Sequence, residues 1–300
     1  MFKSGFVAII GRPNAGKSTL LNGIMEQKLA IISPKPQTTR NNIQGILTSE
    51  DTQMIFIDTP GIHKPHHELG RTLNKTAFSS LAGVDVVFYM VDASVPFGSG
   101  EEFVLNTLKN VHAPIFLLLN KVDLLSKDKL MALLVEWNQR FDFKEIFPIS
   151  ALERTNLLPL LEVTKNYLKE GPQYFPSDMV CDHDEDFLIK ELIREKVLFK
   201  TEEEVPHSVA VVLEKKQVKK NAVVLNVMIV VERPSQKGIL IGKQGSMIKQ
   251  IGIESRKELE LILGKKVYLE LFVRVEKDWR NRLSKLNQFG YGEDDDEFAA

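Results

Sequence analysis

Of the 300 residues one is a cysteine, Cys181. A single thiol excludes an intramolecular disulfide and a multi-cysteine metal cage, so the fold must be held by a hydrophobic core, and this cysteine usage fits a reducing, cytoplasmic setting. Long apolar runs are missing too. None approaches the ~18 residues of a membrane span, and Met1-Phe2-Lys3-Ser4-Gly5 leads straight into a candidate strand, so no secretory leader is expected. Excess charge of one sign is also absent, with a formal net charge of −1. That near-neutrality hides a segregation. From Val205 to Gly292 there are 17 Lys/Arg against 8 Asp/Glu, a net +9, whereas Glu293-Asp294-Asp295-Asp296-Glu297 forms an acidic tail whose composition predicts disorder. A basic C-terminal module implies an anionic partner.

A chain of this length predicts roughly two domains, and 43% hydrophobic residues suffice for a core in each. Residues 1–170 alternate short apolar runs with amphipathic stretches, the pattern of an α/β domain with a mostly parallel six-stranded sheet. Strands are expected at 6–10, 42–47, 54–58, 84–91, 114–120 and 146–149. The second and third pair antiparallel across a short turn. The clearest helices are 127–140 and 157–170. Two prolines and a glycine in Gly171-Pro172-Gln173-Tyr174-Phe175-Pro176 mark a linker over 171–184. Residues 185–283 read helix, strand, strand, helix, helix, strand, a smaller α+β domain. Residues 284–300 hold the end of a basic and aromatic stretch and the acidic tail.

The densest motif is Gly11-Arg12-Pro13-Asn14-Ala15-Gly16-Lys17-Ser18-Thr19, which follows the apolar run Phe6–Ile10 and opens a helix. G-x-x-x-x-G-K-S between strand and helix predicts a phosphate cradle. Glycines let backbone N–H groups converge on phosphate oxygens at a helix N-terminus, Lys17 reaches the outer phosphates, and the Ser18 hydroxyl can ligate magnesium. The base is read elsewhere. Asn120-Lys121-Val122-Asp123 follows an apolar strand. The Asp123 carboxylate can accept from the guanine ring N–H and amine, which adenine does not present there. Lys121 can lie along the base, and Asn120 can tie this loop to the phosphate loop. In Ile149-Ser150-Ala151 a backbone N–H can approach the guanine oxygen. Asp58-Thr59-Pro60-Gly61 ends a strand, so Asp58 can hold a magnesium shell and the Gly61 N–H can meet the γ-phosphate. A threonine of Gln37-Thr38-Thr39-Arg40 can complete that shell. Where Ras-like GTPases place a water-orienting glutamine, this chain has Ile62, which predicts slow hydrolysis that a cation or a partner accelerates.

These motifs, in this order, resemble the Era-like GTPases of the translation-factor-related class. The resemblance makes Thr39 the switch threonine and, with Lys17 and Gly61, a catalytic residue. It matches Asn14 to an asparagine that helps hold potassium in some relatives. GTP or GDP and Mg2+, with Ser18, Thr39 and Asp58 as metal ligands, are the implied cofactors, and K+ is a further one.

In the basic half, Gly238-Ile239-Leu240-Ile241-Gly242-Lys243-Gln244-Gly245 places a G-x-x-G loop between two helices, a loop that can clamp the backbone of about four nucleotides. Gly238, Ile241, Gly242, Lys243, Gln244 and Gly245 are the candidate RNA contacts. Trp279, Phe289 and Tyr291 are candidates for stacking on bases. The element order resembles a type II KH domain. A GTPase domain joined to one such domain implies, by the family resemblance, a monomeric switch. It binds single-stranded ribosomal RNA near the 3′ end of 16S rRNA and acts in assembly of the small (30S) subunit. Association with the cytoplasmic face of the cell membrane is implied as well. Two alternatives stay open, a constitutive RNA-binding protein whose nucleotide is structural and the GTPase part of an RNA-modification complex.

Overall fold

The computed structural model describes residues 1–292; the acidic tail expected to be disordered lies outside them. The chain divides into two compact units. The first comprises Met1–Ala30, Thr39–His66 and Leu73–Asp182, and the second Ile31–Thr38, His67–Thr72 and the chain from His183 onward.

The first unit is built on one sheet. In chain order its elements are β1 (Lys3–Gly11), α1 (Lys17–Met25), β2 (Ile43–Thr48), β3 (Thr52–Asp58), α2 (Glu68–Ser79, which starts in the second unit), β4 (Val86–Asp92), α3 (Ser99–Leu108), β5 (Ile115–Asn120), α4 (Lys127–Asn138), β6 (Glu145–Pro148), α5 (Leu157–Tyr167) and β7 (Lys169–Glu170). The strand order is β2-β3-β1-β4-β5-β6, parallel except for the β2–β3 hairpin. Every residue of β5 is buried. Such unbroken apolar runs are what a parallel sheet covered on both faces requires. One face packs Ala8, Ile10, Val87, Tyr89, Leu117 and Leu119 with Trp137; on the other Phe88 stacks on Phe116 at 5.7 Å and Tyr167 meets Phe116 edge-on at 4.9 Å.

The sheet has seven strands, not six. Helix α5 stops at Tyr167 and the chain turns so that Lys169 and Glu170 pair antiparallel with Ser4 and Lys3. Two residues carry no period-2 pattern, so this strand exists only because β1 offers it an open stretch of edge. The proline-rich stretch after it also lies on the first unit. Buried Gln53 donates to the Phe175 carbonyl and accepts from the N–H groups of Tyr174 and Phe175, and Ile46 N donates to Val180 O at 3.0 Å.

The second unit contains α6 (Glu185–Lys200), the short α7 (Val205–Ser208), β8 (Ala210–Val218), β9 (Ala222–Val231), α8 (Pro234–Ile241), α9 (Ser246–Leu263), β10 (Lys266–Val275) and α10 (Leu283–Gln288). The sheet order is β10-β9-β8, with β9 parallel to β10 and antiparallel to β8. Alternate residues Val223, Leu225, Val227 and Ile229 of β9 form a core with Ile189, Leu192 and Ile193 of α6, Leu240 of α8, and Ile251 and Leu259 of α9. Segment 31–38 is held on α6, where Glu195 accepts from Ile32 N at 3.1 Å and buried Arg194, paired with Glu191, donates to the Thr38 carbonyl. The three aromatic residues near the end are packed rather than presented. Trp279 is fully buried with its indole N–H on Ser208 O at 2.9 Å, and the rings of Phe289 and Tyr291 lie against it. No helix among the described residues is long and apolar enough to cross a membrane.

Candidate functional site

Strand β1 delivers Gly11 and helix α1 begins at Lys17, so residues 12–16 form a loop that runs into the helix N-terminus, where unpaired backbone N–H groups favour an anion. Gly16 has φ +104°, a left-handed conformation that costs a residue with a side chain dearly. Within the loop the Lys17 ammonium is buried and donates to the carbonyls of Gly11 at 3.2 Å and Arg12 at 3.1 Å. Burial pushes it down to about 8, against the attraction of Asp58 and Glu101. An ammonium resting on two carbonyls at a helix N-terminus is poised to exchange those acceptors for phosphate oxygens. Ala15 is buried behind the loop, Asn14 is exposed at its tip, and Thr19 is half-buried in the first helical turn.

Three oxygens meet beside Lys17. Ser18 Oγ lies 2.6 Å from Asp58 Oδ2 and 2.7 Å from Thr39 Oγ1, and Thr39 Oγ1 lies 3.4 Å from the same carboxylate oxygen. Residues 18, 39 and 58 are therefore one cluster, brought together by α1, the loop before β2 and the end of β3. The other oxygen, Asp58 Oδ1, is buried with no hydrogen-bond partner. Burial raises the Asp58 carboxyl to about 6, although Lys17 pulls it down. A desolvated carboxylate with an orphaned oxygen, flanked by two hydroxyls, suits a hard divalent cation such as magnesium.

Past Asp58, the Thr59 hydroxyl donates to Ile9 O at 2.8 Å, and Pro60 and Gly61 are buried. A Cβ on Gly61 would come within 2.7 Å of the Pro13 backbone, so only glycine lets this turn lie on the phosphate loop. Ile62 N donates to Gly11 O at 3.0 Å while its side chain, 1% exposed, enters the sheet core with Ala8, Ile10 and Tyr89. It faces away from solvent and orients no water. Among the described residues no group of three or more His, Cys, Asp or Glu could hold a metal, and His63 in the following loop lies against Gly61 O at 2.9 Å.

The third loop is organised by Asn120. Its amide donates to Ala15 O at 2.8 Å and accepts from Ala151 N at 2.9 Å, joining the phosphate loop to the 149–151 turn. Ser150 is buried, exchanging backbone bonds with Thr155. Lys121 adopts φ +67° and places its ammonium 2.5 Å from Asp92 Oδ2 at the end of β4. Asp123 is exposed in the turn that follows, an open acceptor beside the loop junction. Asp92 carried no signal in the sequence, because its role depends on β4 and β5 ending side by side. The same holds for Glu101 of α3, whose buried carboxylate accepts from the Tyr89 hydroxyl and lies 3.7 Å from the guanidinium of Arg12.

In the second unit, α8 ends at Ile241 and α9 begins at Ser246, with Lys243 and Gln244 exposed between Gly242 (φ +72°) and Gly245 (φ +77°). A Cβ at Gly242 would sit 2.8 Å from Met247 N, so glycine is required there, whereas Gly238 has open space around it. Next to this loop is a groove of about 290 Å³, lined by Ile248, Lys249, Gly252, Ile253 and Arg256 along one face of α9 and by Leu269 and Leu271 on β10. None of the six candidate residues from 238–245 is in that lining. The groove residues escaped notice in the sequence because their helical spacing is also that of any packed helix face.

Comparison with known proteins agrees with this geometry. A family model described as a 50S ribosome-binding GTPase matches residues 6–121, and a KH domain model matches residues 204–280. A crystal structure of Era in complex with MgGDPNP and nucleotides 1506–1542 of 16S ribosomal RNA is 40% identical, covering 98% of this chain and 100% of that one, with a TM-score of 0.94. A tyrosine-to-alanine variant of Aquifex aeolicus Era bound to GDP·AlF4− is likewise 40% identical, covering 97% and 100%, with a TM-score of 0.94. Identity at that level over nearly the whole of both chains, with both the GTPase and KH modules in place, makes this chain a member of the Era family of GTPases.

Proposed function

We propose that the chain is a magnesium-dependent GTPase whose nucleotide state governs the binding of single-stranded 16S ribosomal RNA during assembly of the 30S subunit. The observation that carries the nucleotide half is the oxygen cluster of Ser18, Thr39 and Asp58 beside a buried Lys17. Those three residues would hold Mg2+, which when bound neutralises charge on the β- and γ-phosphate oxygens. Lys17 and the N–H groups of residues 14–19 cradle the phosphates. Gly61 offers its N–H to the γ-phosphate, and Thr39 orders with it. Asn120, Lys121, Asp123, Ser150 and Ala151 form the guanine side, where Asp123 accepts from the base. With Ile62 turned into the core, attack by water relies on backbone groups, on a cation near Asn14 or on a partner.

The relatives support the RNA half, since one of them was crystallised with nucleotides 1506–1542 of 16S ribosomal RNA. In this reading residues 1–170 form the GTPase domain and 185–283 the RNA-binding domain. Gly242–Gly245 clamps the RNA backbone, and the groove of α9 and β10 takes the bases. The protein works as a cytoplasmic monomer, and the family resemblance adds peripheral attachment to the membrane. Slow, Mg2+-dependent hydrolysis accelerated by K+ over Na+ or by RNA is the expected result of a single-turnover assay. Tighter binding of the 3′ RNA segment with a non-hydrolysable GTP analogue than with GDP is expected alongside it. Equal RNA affinity with analogue, GDP and no nucleotide would leave a constitutive RNA-binding protein instead.

A further inference from the structure

The three-stranded sheet buries one face throughout, whereas on the other face Ala210, Met228 and Val230 are buried and the part around residues 222–226 of β9 is open. Val267, Leu269, Leu271 and Val273 of β10 turn toward the helices, so Tyr268, Glu270, Phe272 and Arg274 stand on the opposite face. Registered beside them on β9 are Val224, Asn226 and Met228, and on β8 Lys215 and Gln217. Tyr268 is 60% exposed and Phe272 49% exposed, an unusual state for two rings on one strand. At ~3.3 Å per residue they stand about 13 Å apart, far enough to receive two separate bases. Glu270 and Asn226 lie between the rings, while the exposed cations Lys266, Arg274 and Lys215 share their face.

With Glu270, Asn226 and the three cations beside the rings, this arrangement is unlike the core of a protein interface, from which charge is excluded. Separate aromatic rings among cations on an open sheet are how single strands are bound by stacking. Continuity with the groove favours the same occupant. Strand β10 is an edge strand that gives Leu269 and Leu271 to the groove and Tyr268 and Phe272 to the other face. A strand leaving the groove over that edge meets both rings. We infer that the open face of β8, β9 and β10 is a second contact for single-stranded RNA, with Tyr268 and Phe272 stacking on bases beyond those held in the groove.

The inference rests on the RNA-binding reading above, and two probes separate the two claims. A short RNA of about four nucleotides matches the span of a G-x-x-G loop, and a long one of about twelve lies within the range of single-strand sites. Both are cut from the 3′ end of the 16S segment and bound to the full chain with a GTP analogue. The Tyr268→Ala/Phe272→Ala variant is expected to lose ~10-fold or more in affinity for the long probe while binding the short one as the unaltered protein does. Phe272→Trp is expected to keep the long-probe affinity, and Phe272→Leu to lose part of it. Unchanged long-probe affinity in the double variant overturns the inference, as does an equal loss with both probes, which would mean that the face merely supports the groove. Normal RNA binding with lost attachment to small-subunit particles would assign the rings to a protein instead. Failure of the unaltered protein to bind either probe refutes the RNA reading itself.

Discussion

The Asn120 side chain donates to the carbonyl of Ala15 at 2.8 Å, across 105 residues of sequence, and through its other atom receives the N–H of Ala151. One buried amide thereby sets the distance between the loop that holds phosphates and the loops that read the base. Asn120→Ala leaves a buried carbonyl and a buried N–H unpaired, at about 1–3 kcal/mol each. GDP and GTP affinity should both fall by about 10-fold or more, measured by calorimetry, with kcat at saturation little changed because Asn120 touches no reacting atom.

Two groups in the phosphate site tie binding to pH. Asp58 is raised by burial from its ordinary 3.8 to about 6, so the folded protein binds more protons than the unfolded chain between those values. The free protein therefore loses stability as pH rises through that window. Magnesium needs the ionised carboxylate, so its half-saturating concentration in the hydrolysis assay should rise about tenfold at a pH one unit below 6 and level off above neutrality. Lys17 is lowered by burial to about 8. The free protein gains stability from this group as pH rises from 8 to 10.5, where the unfolded chain still carries the proton. Phosphate favours the charged ammonium, so nucleotide binding above pH 8 should take up a proton, seen as buffer-dependent heats of binding.

Ile62 is locked in the core with its N–H on Gly11. Placing glutamine there imports an amide into an apolar site. Ile62→Gln should lower stability by about 1–3 kcal/mol in thermal melts and leave the single-turnover rate no faster.

The Lys121–Asp92 pair is half-buried, and the second Asp92 oxygen accepts from Ser94 N and Oγ, at 3.0 and 2.6 Å. With the carboxylate held on both sides, the lysine stem has a fixed course next to Asp123. Asp92→Asn should weaken GDP and GTP alike by about 3- to 10-fold, an effect on the order of 1 kcal/mol, and leave kcat unchanged. Titration with a fluorescent GDP analogue measures it.

Much of this was legible beforehand, and for a local reason. The strand-loop-helix at 6–25 is written in contiguous residues, since glycines, a lysine and a flanking apolar run act over a few positions. The closing strand of the second unit, expected after two helices, is observed at Lys266–Val275. What stayed hidden lacks any local signature. The two-residue β7 exists only against β1, and Glu101 matters only because α3 brings it to Arg12. Trp279, Phe289 and Tyr291 suggested stacking on bases, but apolar rings near one another gain more by burial against Ser208 and each other than by exposure.

By itself, then, the sequence determined the two modules, their order and the residue types offered to nucleotide and RNA, because backbone propensity and short motifs are encoded within a few neighbours. Only the tertiary structure decided which of those residues meet. Ser18, Thr39 and Asp58 converge from three segments, Ile62 turns inward while Asp123 stays exposed, and β10 carries a groove on one face and two bare rings on the other. Such outcomes depend on the competition of every apolar surface for one core, which no short stretch of sequence records.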